Sequence, residues 1–135
     1  MMKLGIVVSD FYWEEITSKM LHEALMVCKK KNVMTEMFKV PGCFDIPLPV
    51  KKFLMRKDID GVVTLGAVIK GDTAHDEVIS FSLAKTLLEL SLQFEKPVVL
   101  GVNGPKMTWE QAVERIPRAA DVTEACIRMC ELLHP

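Results

Sequence analysis

Four short apolar runs punctuate the chain, and the stretches between them repeat their apolar residues every three to four positions. That alternation constrains the fold more than any other feature, because strands separated by helices pair in parallel with right-handed crossovers and carry helices on both faces. Leu4–Val8 is an uninterrupted apolar run closed by Ser9-Asp10, the pattern of a strand buried on both sides. Ile16, Met20, Ala24 and Cys28 then recur every four residues, which predicts an amphipathic helix from about Trp13 to Lys31. Lys29-Lys30-Lys31-Asn32 supplies the cations and capping residue that suit a helix C-terminus.

The same reading continues along the chain. A second strand is expected over 34–40, stopped by Pro41-Gly42. A helix starts near Pro47 or Pro49, where proline fits a first turn, and runs to about Lys57. Gly61–Ile69 is the third strand. The next helix is capped by Asp72 or Thr73 and extends to about Phe94, with Val78, Phe81, Ala84, Leu87, Leu88 and Ser91 as its buried stripe. Pro97–Val102 is the fourth strand, and helices over 108–116 and 118–133 close the chain, divided near Pro117. The expectation is one α/β domain over residues 1–135, a flavodoxin-like three-layer α/β/α sandwich on a four-stranded parallel sheet of order 2-1-3-4.

Composition removes several function classes. Of 135 residues, 17 are Lys or Arg and 18 are Asp or Glu, a formal net charge of −1. Nucleic-acid binding needs a clustered basic excess, and attraction to an anionic membrane needs a polybasic segment; neither occurs. Half the residues are hydrophobic and 26% are charged, which excludes disorder. No apolar run nears the roughly 18–20 residues of a bilayer span. The first apolar stretch is too short for a signal peptide, so a cytoplasmic location is expected. Cys28, Cys43, Cys126 and Cys130 form no zinc spacing and are expected as reduced, packed thiols.

Ligands of such a sheet gather beyond the carboxyl ends of its strands. The loops there read Ser9-Asp10-Phe11-Tyr12-Trp13, Pro41-Gly42-Cys43-Phe44-Asp45, Lys70-Gly71-Asp72-Thr73-Ala74-His75 and Asn103-Gly104-Pro105-Lys106. Aromatics, carboxylates, lysines and a histidine share one edge, which suits a planar hydrogen-bonding ligand beside a phosphate. Asp72-Thr73-Ala74 offer N–H groups at a helix start, a ready anion site. His75 in the first turn is either a proton carrier, favoured in its neutral form by the helix dipole, or a solvated helix-start residue.

These loops, in this order, resemble the 6,7-dimethyl-8-ribityllumazine synthases of riboflavin biosynthesis, with the chain an archaeal-like member. The carrying stretches are Pro41–Pro47, Leu65–His75, Pro97–Val102 and Glu110–Arg115, and the resemblance spans about Gly5 to Arg115. It implies an enzyme, a transferase that condenses 5-amino-6-(D-ribitylamino)uracil with 3,4-dihydroxy-2-butanone 4-phosphate and releases phosphate and water. No cofactor or metal is implied. By position, His75 is the proton-handling residue. Cys43, Phe44, Asp45, Ala67, Val68, Ile69 and Leu100 match the ribitylaminouracil site. Asp72, Thr73 and Arg115 match the phosphate site, with Arg118 a further basic candidate.

The first loop is one residue longer than the family pattern. Counting from the first strand makes Phe11 the stacking aromatic, which is the assignment adopted; counting back from Ile16 gives Tyr12, and Trp13 stands next to them. The resemblance further implies a homopentamer with its sites between neighbours, in some members a 60-subunit icosahedral shell of twelve pentamers, and riboflavin synthase as a partner. Two other readings compete: an archaeal-type riboflavin synthase, and a non-catalytic flavin-binding module. A phospho-receiver is disfavoured, because Ala67-Val68-Ile69 stands where its phosphorylated Asp would be.

Overall fold

The computed structural model describes residues 1–134. Its strands are β1 (Lys3–Ser9), β2 (Met34–Val40), β3 (Gly61–Ile69) and β4 (Val98–Met107). The helices are α1 (Ser18–Lys30), α2 (Pro47–Leu54), α3 (His75–Phe94), α4 (Trp109–Glu114) and α5 (Arg118–Leu133). The sheet order is β2-β1-β3-β4 and every pairing is parallel, as the alternation predicts.

Each face of the sheet carries its own core. Leu4, Ile6 and Val8 point to one side, where Ile16, Met20, Ala24 and Cys28 of the predicted stripe meet Ala112, Ile116, Ala119 and Ile127. Val7, Val62 and Val68 point to the other, against Val50, Phe53 and Leu54 of α2 and Leu83 and Leu87 of α3. So α1, α4 and α5 form one outer layer, and α2 and α3 the other. α1 ends as the sequence predicts: Asn32 turns left-handed (φ 56), the Val33 amide donates to Cys28 O (2.8 Å), and the Asn32 amide donates to Lys29 O (3.3 Å).

Three expectations are corrected. β4 continues past Val102 to Met107, although Asn103-Gly104-Pro105 reads as a turn. The register shifts between Ala67 and Ile69, Gly104 adopts φ 137 and Lys106 φ 61, and the strand resumes as a bulge. Only Gly takes φ 137 without strain, and a Cβ there would lie 2.8 Å from Val68 O.

The second correction concerns α3. Leu87 is buried as expected, but Val78, Phe81 and Leu88 are 59%, 60% and 65% exposed, and the buried positions are Asp76, Ser80, Leu83 and Leu87. Apolar residues occur all round this helix, so periodicity alone could not select the face that meets the sheet. Third, neither Asp72 nor Thr73 occupies the cap position of α3; Ala74 does, without a capping side chain, and Thr73 Oγ1 accepts the His75 amide (3.4 Å) from one residue further back.

Candidate functional site

Three of the four loops at the carboxyl edge converge on a cavity of about 290 Å³. From the β1 loop come Phe11 and Tyr12; from the β2 loop Gly42, Cys43 and Phe44; from the end of β3 Ala67, Val68 and Ile69; and from α3 His75, Asp76 and Ile79.

The β1 loop leads into a wide helical turn over Trp13–Thr17. Tyr12 is left-handed (φ 66), and its carbonyl accepts from the amides of both Ile16 (3.0 Å) and Thr17 (3.1 Å). A turn with an i→i+5 bond accommodates one more residue than an α-helical turn and recurs at functional sites. Ile16 thereby keeps its place in the core while both Phe11 and Tyr12 reach the cavity. Trp13 does not line it; its ring lies under the Lys39 ammonium, 4.2 Å from Nζ.

The β2 loop folds on itself. The Asp45 amide donates to Gly42 O (3.0 Å), and Asp45 Oδ2 accepts the Gly42 amide at the same distance. That turn presents exposed Phe44 outward and drives Cys43 inward, where its thiol faces Ala67 O (3.9 Å). Burial pushes the Cys43 thiol up to about 11, so it is a neutral wall residue. Gly66 makes room for it, since a Cβ on Gly66 would lie 2.6 Å from Cys43 Sγ.

His75 is the first residue of α3 and is exposed to the cavity. Its Nδ1 is 2.9 Å from Thr73 Oγ1, and the same hydroxyl lies 3.4 Å from the His75 amide. A hydroxyl both donates and accepts, so Thr73 supports either neutral tautomer and leaves Nε2 for a ligand. The side chain of buried Asp76 serves the fold: its Oδ2 accepts the Lys106 amide (2.8 Å) and ties α3 to the β4 bulge. Asp72 and Thr73 are exposed in the loop that enters α3.

Five predicted site residues do not line this cavity: Asp45, Asp72 and Thr73 stand in loops whose neighbouring residues do, and Leu100 and Arg115 lie elsewhere. Leu100 lines a separate apolar hollow of about 190 Å³ between α3 and β4, with Phe81, Ala84 and Pro105. Arg115 is exposed at the C-cap of α4, and Arg118 is exposed at the start of α5. Sequence reasoning missed Gly42, Asp76 and Ile79. Ile79 had a usable signal, because it lies four residues after His75 on the same helix face. Asp76 had none, since only the β4 bulge brings its partner within reach.

The sequence pattern of the family described as 6,7-dimethyl-8-ribityllumazine synthase matches residues 1–134. The chain is 52% identical over 129 residues to the 6,7-dimethyl-8-ribityllumazine synthase of Metallosphaera sedula, covering 94% of this chain and 85% of that protein. It is 43% identical over 134 residues to the enzyme of the same name from Picrophilus torridus, with 98% of each covered. To that of Saccharolobus solfataricus it is 48% identical over 131 residues, covering 96% of this chain and 84% of the relative.

Proposed function

The chain belongs to the 6,7-dimethyl-8-ribityllumazine synthase family, and from that premise we propose how its own residues carry out the condensation of 5-amino-6-(D-ribitylamino)uracil with 3,4-dihydroxy-2-butanone 4-phosphate. The observation that carries the proposal is the cavity in which Phe11, Ala67–Ile69 and His75 face one another. A pyrimidine ring stacks on Phe11 beside Tyr12, and its polar edge meets the backbone at the end of β3. Cys43 and Phe44 close the second wall. Asp45, whose carboxylate accepts the Gly42 amide in the turn that carries Cys43 and Phe44, takes the ribityl hydroxyls.

The reaction asks little covalent help of the protein. An amine attacks a ketone and water leaves, phosphate is eliminated, and a second attack closes the ring with loss of another water. Holding both substrates together lowers the entropic part of the barrier. His75 takes the proton from the attacking amine and returns it to the departing oxygen, with Thr73 stabilising whichever tautomer results. The start of α3 and the exposed Asp72-Thr73-Ala74 segment suit the phosphate, with Arg115 gripping it through two parallel N–H bonds.

Leu100 and Arg115 join this scheme through a neighbouring copy. Val78, Phe81, Leu88 and Leu92 expose an apolar face along α3, continuous with the hollow at Leu100. Self-association through that face, as a homopentamer, brings one copy's Leu100 and Arg115 to the next copy's cavity. Light scattering tests it, and a monomer would reject the shared site; a mass of twelve pentamers would identify a shell. Among the described residues no helix is long and apolar enough to cross a membrane. The four unpaired, buried cysteines suit a reducing compartment, and we assign the protein to the cytoplasm.

The direct test mixes both substrates with the protein and follows lumazine absorbance and phosphate release together. Equal amounts of both products support the proposal. Phosphate without lumazine, or riboflavin formed from lumazine alone, would replace it.

A further inference from the structure

Phe11 is 59% exposed and lies outside both buried cores, yet it forms a wall of the cavity. Its amide is 3.3 Å from Ser9 Oγ, which fixes its backbone but not its ring. The ring meets Tyr12 edge-on, with centroids 4.6 Å apart and planes at 79°. Tyr12 meets Trp109 in the same manner, at 5.2 Å and 79°. Tyr12 and Trp109 both pack against the core beneath α1 and α5, so two of the three rings are anchored. The backbone of Tyr12 is also held, by the two amides that share its carbonyl.

We infer that Trp109 is a positioning residue: through Tyr12 it holds the Phe11 ring in the cavity wall, so the start of α4 sets the affinity of the site for a planar heterocycle. The inference rests on the proposed function for the identity of that heterocycle. Edge-to-face pairs are favoured by the quadrupoles of both rings, and an ordered Phe11 spares the ligand the cost of immobilising it. The positive ring edge and negative ring face are what Leu cannot supply, even though it fills apolar space at the same position.

Trp109→Leu and Trp109→Phe in the full chain test this. Trp109→Leu raises KM for the ribitylaminouracil about three- to tenfold, as expected for loss of an aromatic pair, with kcat and KM for the butanone phosphate within about twofold. Trp109→Phe restores the value. In a Tyr12→Leu background Trp109→Leu adds nothing, because the row is already broken. If Trp109→Leu does not fold, Trp109→Met carries the same measurements.

A second readout needs no substrate. With 4-fluorophenylalanine at position 11, the ¹⁹F resonance of the unliganded protein moves in Trp109→Leu and returns in Trp109→Phe. A wild-type protein that makes no lumazine would end the functional proposal while leaving this measurement decisive for the aromatic row. An unmoved resonance, an unchanged KM, or additive effects in the Tyr12→Leu background would overturn the inference.

Discussion

Around the amino ends of the strands, charged side chains knit into one shared network; around the carboxyl ends they make separate contacts, and His75 faces a cavity. Arg56 forms a fork with each of two carboxylates: Nη1 and Nη2 donate to Glu36, and Nε (3.0 Å) and Nη2 (2.7 Å) donate to Asp58. Lys3 Nζ donates to the same two, at 2.8 Å to Glu36 and 3.3 Å to Asp58. Lys96 Nζ adds bonds to Leu54 O (3.1 Å) and Arg56 O (2.6 Å), joining the β4 entrance to the end of α2. At the other end His75 has Thr73 as the partner of both its ring and its amide, and Lys106 Nζ lies 3.6 Å from Glu77 Oε1. One sheet therefore has an edge bound by a shared ion network and an edge where separate polar contacts border the cavity that His75 faces. Polar groups already paired within the protein contribute to stability, and those left open are available for chemistry.

The sharpest way to break that contrast is His75→Ala. Turnover should fall about 10²-fold, within the 10²–10⁴-fold that a positioned acid–base supplies, because positioning of the two substrates survives. Complete loss of kcat in a folded variant would mean that the mechanism is assigned wrongly. Arg115→Ala comes next: KM for the phosphate-bearing substrate should rise about tenfold, as for loss of a charge-assisted bond, with the other KM unchanged. Equal KM values for wild type and variant would remove Arg115 from the site.

Gly66→Ala probes how tightly the open edge is fitted. A methyl 2.6 Å from Cys43 Sγ should cost about 1–3 kcal/mol of stability in urea unfolding, and Cys43→Ala in the same chain should recover part of it. No recovery would place the strain elsewhere.

The smallest effect concerns the closed edge. Bonds from Arg56 and then Lys3 hold the Glu36 carboxyl down at about 2, and Arg56 holds Asp58 well below the usual carboxylate range. A value lowered by folding means that the native state binds fewer protons. The contribution of Glu36 is therefore complete above about pH 4.5 and fades as the pH falls towards 2. Glu36→Gln should flatten the decline of Tm between those limits and leave kcat unchanged. Equal acid sensitivity of the two proteins would show that the network is without effect on stability.

Much of the molecule is legible in the residues, and the failures share a cause. The four-residue stripe from Ile16 to Cys28 is the buried face of α1, and the apolar run Gly61–Ile69 coincides with β3. Phe11, Cys43, Phe44, Ala67, Val68, Ile69 and His75 were named from loop position and resemblance, and they line one cavity. Loop position could not decide between Phe11 and Tyr12, and the wide turn that follows them brings both to the cavity. Nor could it foresee that Leu100 and Arg115 lie apart from the cavity of their own chain.

The sequence by itself determined the order of the elements, the parallel sheet and which loops meet at its carboxyl edge, since periodicity, helix ends and connection handedness are local properties. Tertiary structure decided the length of β4, the face that α3 turns to the sheet, the partner of Asp76 and the aromatic row from Trp109 to Phe11. Each of those depends on groups distant in sequence coming within bonding distance, and no local preference encodes such a meeting.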